Sequence, residues 1–406
     1  MALLVQKFGG TSVGSFERIE VVADKLARAY RAGEQLVVVL SAMAGETNRL
    51  LGLAKSVAAD PDPRELDLLV STGEQVAISL MAMALQKRGI PARALLGDQA
   101  GVLTDSRHGR ARITSVEPEP LRTLLAQGVV PVVAGFQGRC PANGVTTLGR
   151  GGSDTTAVAI AAALKADECQ IFTDVDGVYT TDPRIEPRAR KMDTISFEEM
   201  LELSSLGAKV LQIRSVEYAG RYNVPLRVLS SFQEGSGTLI TYEDSLMDAP
   251  QVSGIAFTRD EASLTLVGVP DEANVAAQIL TPIEEGGIDV DMIVHTNTGD
   301  GKADFTFTVS RTDCNQACRL LQPVLAQFGI DNLKINQDLC KVSVVGVGMK
   351  NHTGVASRMF QTLGREGISV QLIATSEIKI SVAMEQKYLE LAVRSLHKTF
   401  DLAADE

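Results

Sequence analysis

Short apolar runs separated by amphipathic stretches constrain this chain more than any other feature, and they fill its first 240 or so residues. Residues 3–6 read as a strand. Ser15 is placed to cap a helix whose apolar face is Ile19, Val22, Ala23 and Leu26, and Gly33 ends it. Residues 36–40 form a continuous apolar strand, 75–88 a helix closed by Gly89, and 129–134 a strand interrupted by Pro131. A helix over 155–164 and strands over 169–173 and 226–229 complete the pattern. Apolar strands alternating with helices predict a mainly parallel sheet between two helical layers, a three-layer α/β/α sandwich. Ligands in such a sheet sit at the carboxyl ends of the strands.

The texture changes near residue 245, where Tyr242 to Pro250 is polar and broken, as a linker is. Beyond it lies an internal repeat. Residues 264–269 (Leu-Thr-Leu-Val-Gly-Val) match 342–347 (Val-Ser-Val-Val-Gly-Val), and 285–293 match 365–373 at nearly the same offset. Copy one reads as strands over 264–269, 288–294 and 304–309 with helices over 274–285 and 313–328. Copy two has strands over 342–347, 368–374 and 378–383 with helices over 355–366 and 386–400. This is the split βαβ order of ferredoxin-like βαββαβ modules. An earlier strand over 252–257 has no partner within copy one. It is expected to join the sheet of copy two, making the first module (263–337) an insertion in the second (250–260 plus 341–406), behind a first domain over 1–245.

The chain has 406 residues and a net charge of -11, which disfavours nucleic acid as a partner. Five cysteines are few and scattered, so no disulfide framework is expected. Cys314 and Cys318 have no second pair at zinc spacing, and the four histidines form no ligand pattern. The opening residues do not read as a signal peptide. No apolar run approaches the roughly 18 residues that span a bilayer. The expected compartment is the cytoplasm, with no membrane partner.

Three glycine-bearing segments carry the chemistry. Lys7-Phe8-Gly9-Gly10-Thr11-Ser12 follows the first strand; its glycines let backbone amides approach an anion, and its lysine adds charge. The lysine precedes the glycines, so this is not a Walker A loop. A plain strand-to-helix turn is the competing reading. Thr146 to Thr156 contains Gly149-Arg150-Gly151-Gly152-Ser153-Asp154 and runs into a helix. Arginine clamps carboxylates through paired hydrogen bonds, and Asp154 is placed to hold Lys7. Helix capping explains Asp154 or Ser153 alone and leaves the arginine and glycines over. The third segment, Thr173 to Arg184, brings Tyr179 and Arg184 into one loop, suited to a base and its phosphates. Ser41-Ala42-Met43 with Thr47-Asn48, and Ser71-Thr72-Gly73-Glu74, are weaker signals. Glu74 alone would be a first-turn carboxylate.

Together and in this order, these motifs resemble those of aspartate kinase, and the repeated tail resembles its paired ACT modules. The resemblance covers essentially the whole chain. It implies an amino acid kinase fold followed by two ACT modules. It also implies ATP- and Mg²⁺-dependent phosphorylation of the side-chain carboxylate of L-aspartate to 4-phospho-L-aspartate. That reaction opens lysine, threonine and methionine biosynthesis.

By resemblance, Lys7, Gly9 and Gly10 contact the transferring phosphate, Asp154 orients Lys7, and Arg150 belongs with them to the catalytic set. Glu74 binds the amino group of aspartate and Arg150 its carboxylate, with Thr47, Gly151, Gly152 and Ser153 nearby. Phe8, Ser41, Thr173, Asp174, Tyr179, Asp182, Arg184 and Lys209 line the ATP site. Lysine and threonine are the implied inhibitors, with Asp271, Asn274, Val275, Ile288, Asp289, Thr375, Ser376, Glu377 and Ile378 as effector contacts. The tail departs from the family pattern: the first-copy turn lacks Lys-Pro-Gly, and His352-Thr353-Gly354 in the second lacks the proline. A homo-oligomer is implied, or a mixed oligomer with a small subunit starting at Met247. The competing functions are another amino acid kinase (glutamate, acetylglutamate or uridylate) and a non-catalytic amino-acid sensor.

The chemistry agrees independently. A free aspartate side chain titrates at about pH 3.9, so its carboxylate is already an ionised nucleophile at neutral pH. The catalyst must bring two anions together and neutralise moving charge, which needs cations and amides rather than a His- or Cys-based triad.

Overall fold

The computed structural model describes residues 1–205, 210–242, 252–330, 333–347, 349 and 354–404. Lys209, Met247, His352 and Thr353 lie outside the described residues, as does the linker beyond Tyr242. The chain divides into two compact units. The first is Met1–Val178 with Lys191–Ser205 and a stretch from Lys209 to Met247; the second is Tyr179–Arg190, Leu206–Ala208 and Asp248–Glu406.

The first unit begins with β1 (Leu3–Phe8), α1 (Phe16–Arg31), β2 (Gln35–Leu40), α2 (Glu46–Val57), α3 (Pro63–Val70) and α4 (Thr72–Lys87). Then come β3 (Ala92–Leu95), β4 (Val102–Thr104), β5 (Ile113–Val116), α5 (Glu119–Ala126), β6 (Val130–Ala134), β7 (Gln137–Arg139) and β8 (Val145–Thr147). It closes with α6 (Gly152–Leu164), β9 (Glu168–Thr173), β10 (Thr194–Ser196), α7 (Phe197–Ser205), α8 (Ile213–Arg221), β11 (Leu226–Ser230) and β12 (Thr238–Thr241). Eight strands form one sheet in the order β10-β12-β11-β9-β1-β2-β6-β3, and only β11 and β12 pair antiparallel. A second, small sheet in the order β5-β4-β7-β8 went unforeseen, because its strands are too short to carry a period.

Burial explains why these runs are strands. In β1 and β2 every residue after the first is buried, as both-face coverage of a parallel sheet requires. On one face, Leu26, Met81 and Leu85 of α1 and α4 pack against Phe8, Leu36 and Leu40. The other face carries α6, almost wholly buried and in contact with β1, β2 and β9. Ser15 caps α1, its Oγ accepting from the Arg18 amide at 3.3 Å. The first strand runs two residues beyond the expected 3–6, so Lys7 and Phe8 are inside it rather than after it.

One expectation about composition is corrected. Pro63–Lys87, where α3 meets α4, reaches a mean hydropathy of 1.5 and is long and apolar enough to cross a membrane by length and composition alone. More than half of that window, 56%, is buried within the fold, and α4 packs on α1, β3 and β6. Its apolar composition therefore matches that of a core helix.

The second unit contains β13 (Gly254–Pro270), α9 (Val275–Glu285), β14 (Ile293–Asn297), β15 (Lys302–Val309), α10 (Cys314–Phe328) and β16 (Leu333–Val345). They are followed by α11 (Val355–Arg365), β17 (Leu372–Thr375), β18 (Lys379–Glu385) and α12 (Leu389–Thr399). One antiparallel sheet runs β14-β15-β13-β16-β18-β17. The runs 252–257 and 264–269, read as separate strands, are one strand, β13. Its first half pairs with the second copy (Ile255 opposite Val344) and its second half with the first (Leu264 opposite Phe307). Likewise β16 closes one module and opens the next. Each module keeps its own core, Phe305, Phe307 and Leu321 in one and Val342, Met359 and Leu396 in the other. The strands expected over 288–294 and 368–374 begin later, at Ile293 and Leu372, because Ile288 and Ile368 are taken into the cores ahead of them.

Candidate active site

The strand ends of the first unit are joined by a row of backbone bonds. The Gly9 amide donates to Phe172 O at 3.2 Å, Ser41 to Phe8 O at 3.1 Å, Gly135 to Leu40 O at 3.0 Å, and Ser231 to Thr173 O at 2.8 Å. The turns leaving β1, β2, β6, β9 and β11 therefore lie along one edge, where a parallel sheet binds ligands.

Lys7 points from β1 to the first turn of α6, where its Nζ lies 2.6 Å from Asp154 Oδ1; both side chains are about one-tenth exposed. A Cβ on Gly9 would stand 3.6 Å from that Nζ, so the missing side chain keeps the space beside the cation open. A Cβ on Gly10 would meet Ala42 O at 2.8 Å, so only glycine lets this turn pack on the one after β2. Residues Gly10–Val13 form a 3-10 turn, and Ser12 Oγ is 2.5 Å from Ser231 Oγ. The Phe8 ring is buried and stacked on Phe172, centroids 4.5 Å apart, leaving Phe8 only backbone to offer a ligand.

Glu74, in the first turn of α4, is 3% exposed. Its Oε1 accepts from the Ala42 amide at 3.0 Å, and its Oε2 is buried with no hydrogen-bond partner among the described residues. Burial pushes its carboxyl up to about 7, against the opposing pull of the Ala42 amide. Thr47, in the first turn of α2, is half-buried. An orphaned buried acceptor beside that helix suits an incoming ammonium group.

The turn Gly149–Gly152 enters α6. Gly151 has a φ of 69°, and a Cβ there would fall 1.9 Å from Gln212 Cγ. Arg150, between the glycines, is exposed and makes no hydrogen bond or ion pair among the described residues. Gly152 and Ser153 are buried, and a Cβ on Gly135 would meet Ser153 Cβ at 2.7 Å, so α6 starts hard against the end of β6. Phe136 holds a left-handed φ of 69°, its amide donating to Thr156 Oγ1 at 3.2 Å and its carbonyl accepting from Leu148 at 3.0 Å. A non-glycine residue in that region carries strain of the kind found at functional sites. Neither Phe136 nor Gln212 carried a sequence signal.

The remaining nucleotide-loop residues divide. Thr173 Oγ1 donates to Asp174 Oδ1 at 3.0 Å in the first unit. Tyr179, Asp182 and Arg184 belong to the second unit, where Arg184 Nη2 pairs with Asp182 Oδ2 at 2.6 Å and holds that carboxyl below its usual range. Among the effector candidates, Val275, Ile288 and Ile378 are buried and offer ligands only backbone groups. Asp289, Thr375, Ser376 and Glu377 are exposed. Asp271 accepts from Asn297 Nδ2 and sits 3.6 Å from His295 Nε2, and Asn274 stands just ahead of α9 without a side-chain capping bond.

A parallel sheet with glycine turns, a buried cation and an arginine without a partner among the described residues suits a phosphoryl-transfer enzyme for a small anionic acceptor. The family described as the amino acid kinase family matches residues 2–230, and the ACT domain matches residues 342–400. The aspartate kinase of Pseudomonas fluorescens (strain SBW25) is 61% identical over 407 residues, covering 100% of this chain and 98% of that protein. The structure of E. coli aspartokinase III in complex with aspartate and ADP (R-state) has a TM-score of 0.80 at 27% identity, covering 98% of this chain and 100% of that one. Its complex with lysine and aspartate (T-state) gives 0.78 at the same identity, covering 98% and 99%. The chain belongs to the aspartate kinase family, whose members phosphorylate aspartate at the expense of ATP.

Proposed function

We propose that the first unit transfers the γ-phosphoryl group of Mg²⁺·ATP in line to the side-chain carboxylate of L-aspartate, giving 4-phospho-L-aspartate. The observation that carries this reading is the Lys7–Asp154 pair, 2.6 Å apart beside an open glycine turn. In it, Lys7 and the Gly9-Gly10 turn contact the transferring phosphate, and Asp154 keeps the lysine side chain aimed at it. Arg150 clamps the substrate's α-carboxylate, and the unpartnered Glu74 oxygen receives its ammonium, with Thr47, Gly151, Gly152 and Ser153 around them. Phe8, Ser41, Thr173, Asp174, Tyr179, Asp182, Arg184 and Lys209 bind ATP. Mg²⁺ carried by the nucleotide would supply further positive charge to offset that of the phosphates. The attacking carboxylate is ionised at neutral pH, so positioning and electrostatics do the work and no general base is needed.

The second unit is read as two amino-acid-sensing modules, one over 263–337 inserted into another over 250–260 and 341–406, and inhibited by lysine, threonine or both. Its edge strands support assembly with further copies or a small subunit. Ile293 on β14 and Ile373 on β17 are each about half exposed, and an open apolar edge is a template for pairing. The product feeds lysine, threonine and methionine synthesis, with the cytoplasm as the expected site.

Hydroxylamine trapping of the acyl phosphate, with ATP, Mg²⁺ and aspartate present, tests the activity. The reading expects hydroxamate with aspartate and little with glutamate or acetylglutamate. The same assay with lysine and threonine, singly and together, tests the sensing role; turnover indifferent to both would remove it.

A further inference from the structure

The turn that carries Arg150 is anchored by a side chain outside every motif described above. Asp67, on α3, is 1% exposed. Its carboxylate accepts from Thr147 Oγ1 and from the Gly109 amide at 3.0 Å, and its Oδ2 lies 2.8 Å from His108 Nδ1. Thr147 is the last residue of β8, directly ahead of Leu148-Gly149-Arg150. Gly109 belongs to the loop between β4 and β5, and a Cβ on Gly149 would stand 3.3 Å from its carbonyl oxygen. The loop thus lies over the arginine turn, and one buried carboxylate holds both.

The other end of this connection is Glu74. Helix α3 ends at Ser71, and α4, with Glu74 in its first turn, begins at once. Asp67 is therefore tied through continuous helical backbone to the acceptor for the substrate's ammonium, and through Thr147 to the clamp for its carboxylate. A buried carboxyl group held at once by a hydroxyl, a backbone amide and an imidazole has little freedom to move, so the connection is stiff.

We propose that Asp67 is a positioning residue for substrate recognition: it fixes the spacing between Arg150 and Glu74, and so the length of amino acid that the pocket accepts. This rests on the roles given above to Arg150 and Glu74. Removing Asp67 outright would strand several buried donors and endanger the fold, so the informative variant is Thr147→Val, which removes one hydroxyl at constant volume, with Thr147→Ser as its rescue.

Steady-state kinetics on the full chain, varying aspartate and ATP in turn, test the idea alongside thermal unfolding. Thr147→Val is expected to raise KM for aspartate about tenfold, in line with the cost of a misplaced clamp, with KM for ATP within about twofold. It should also narrow the preference for aspartate over glutamate, while Thr147→Ser restores both. Asp67→Asn should move in the same direction. In an Arg150→Ala background, Thr147→Val should add nothing further, since it acts through the arginine. A parallel fall in kcat, affinity for both substrates and melting temperature would make Asp67 a mere brace and overturn the proposal. So would additivity with Arg150→Ala. If Arg150→Ala itself left KM for aspartate unchanged, the clamp reading would fall first and take the proposal with it.

Discussion

Lys7 Nζ and Asp154 Oδ1 lie 2.6 Å apart, one in the first strand and the other in the first turn of the buried helix α6. Both are largely shielded from solvent, so each is the other's counter-charge as well as its guide. The pairing gives the lysine two separable roles.

Replacing Lys7 with Ala should lower kcat by about 10²-fold or more, as loss of a preorganised charge at the phosphoryl group does. It should also cost about 3 kcal/mol of stability, because Asp154 is left buried and unpaired. The pair of changes Lys7→Met and Asp154→Asn should recover most of that stability without recovering activity. Turnover by the double variant would refute the role of the cation.

The Glu74 carboxyl, pushed up to about 7 by burial, makes a two-sided pH prediction. Binding first: below about pH 7 the carboxyl is protonated, so KM for aspartate should climb as the pH falls. Stability runs the other way. The folded value lies above the unfolded one, so the group's contribution is fully present below about pH 4.5 and is lost as the pH rises through 7. Glu74→Gln should therefore raise the melting temperature of the substrate-free protein more at pH 8 than at pH 5, while weakening aspartate binding at both. Equal shifts at the two pH values would contradict the burial argument.

Gly10→Ala would place a Cβ 2.8 Å from the Ala42 carbonyl oxygen, a backbone atom that cannot swing aside. The expected cost is about 1–3 kcal/mol. Activity should fall with it, because the Gly9-Gly10 turn moves off the phosphate path. A chemical denaturation curve and initial rates at saturating ATP measure the two effects.

Truncation after residue 247 is expected, on the sequence alone, to raise inhibitor tolerance at some cost in stability. The structure locates that cost. Residues 179–190 are hydrogen-bonded to the chain that would be removed: Ile255 donates to Thr180 O at 2.7 Å, Thr180 Oγ1 to Leu402 O at 3.0 Å, and Arg394 Nε to Ile185 O at 2.8 Å. Limited proteolysis of the truncated protein should cut within 179–190, where the full chain resists.

His397 completes that attachment, its Nε2 lying 3.0 Å from Thr180 Oγ1. Burial holds the imidazole below its usual value, against the pull of Glu186. The depressed value means that its contribution to stability is present above about pH 6.5 and is lost as the pH falls below it. Hydrogen exchange at the Thr180 amide, which is bonded to Arg190 O, should accelerate below pH 6 and do so less in His397→Gln.

The glycine turns, the lysine, the arginine and the buried strands were legible because each is a local signal: apolar runs mark covered strands, and paired glycines mark close backbone approach. The repeat in the tail marked the two copies of the module for the same reason. Asp67 was not legible. An aspartate in an amphipathic helix looks like any surface carboxylate, and only the fold brings Thr147, His108 and Gly109 to it. Phe136, Gln212 and the small second sheet share that blindness. The apolar stretch 63–87 misled in the opposite sense, since its serines, glycine and acids broke the run to the eye while the helices still joined.

Residue order alone marked the long buried strands, the amphipathic helices and the glycine turns able to approach an anion, because those properties depend on neighbours in the chain. The tertiary structure alone decided that Lys7 meets Asp154, that Glu74 loses its water, and that residues 179–190 pack with the tail. Those outcomes depend on which distant surfaces exclude solvent together, and no short-range pattern encodes that.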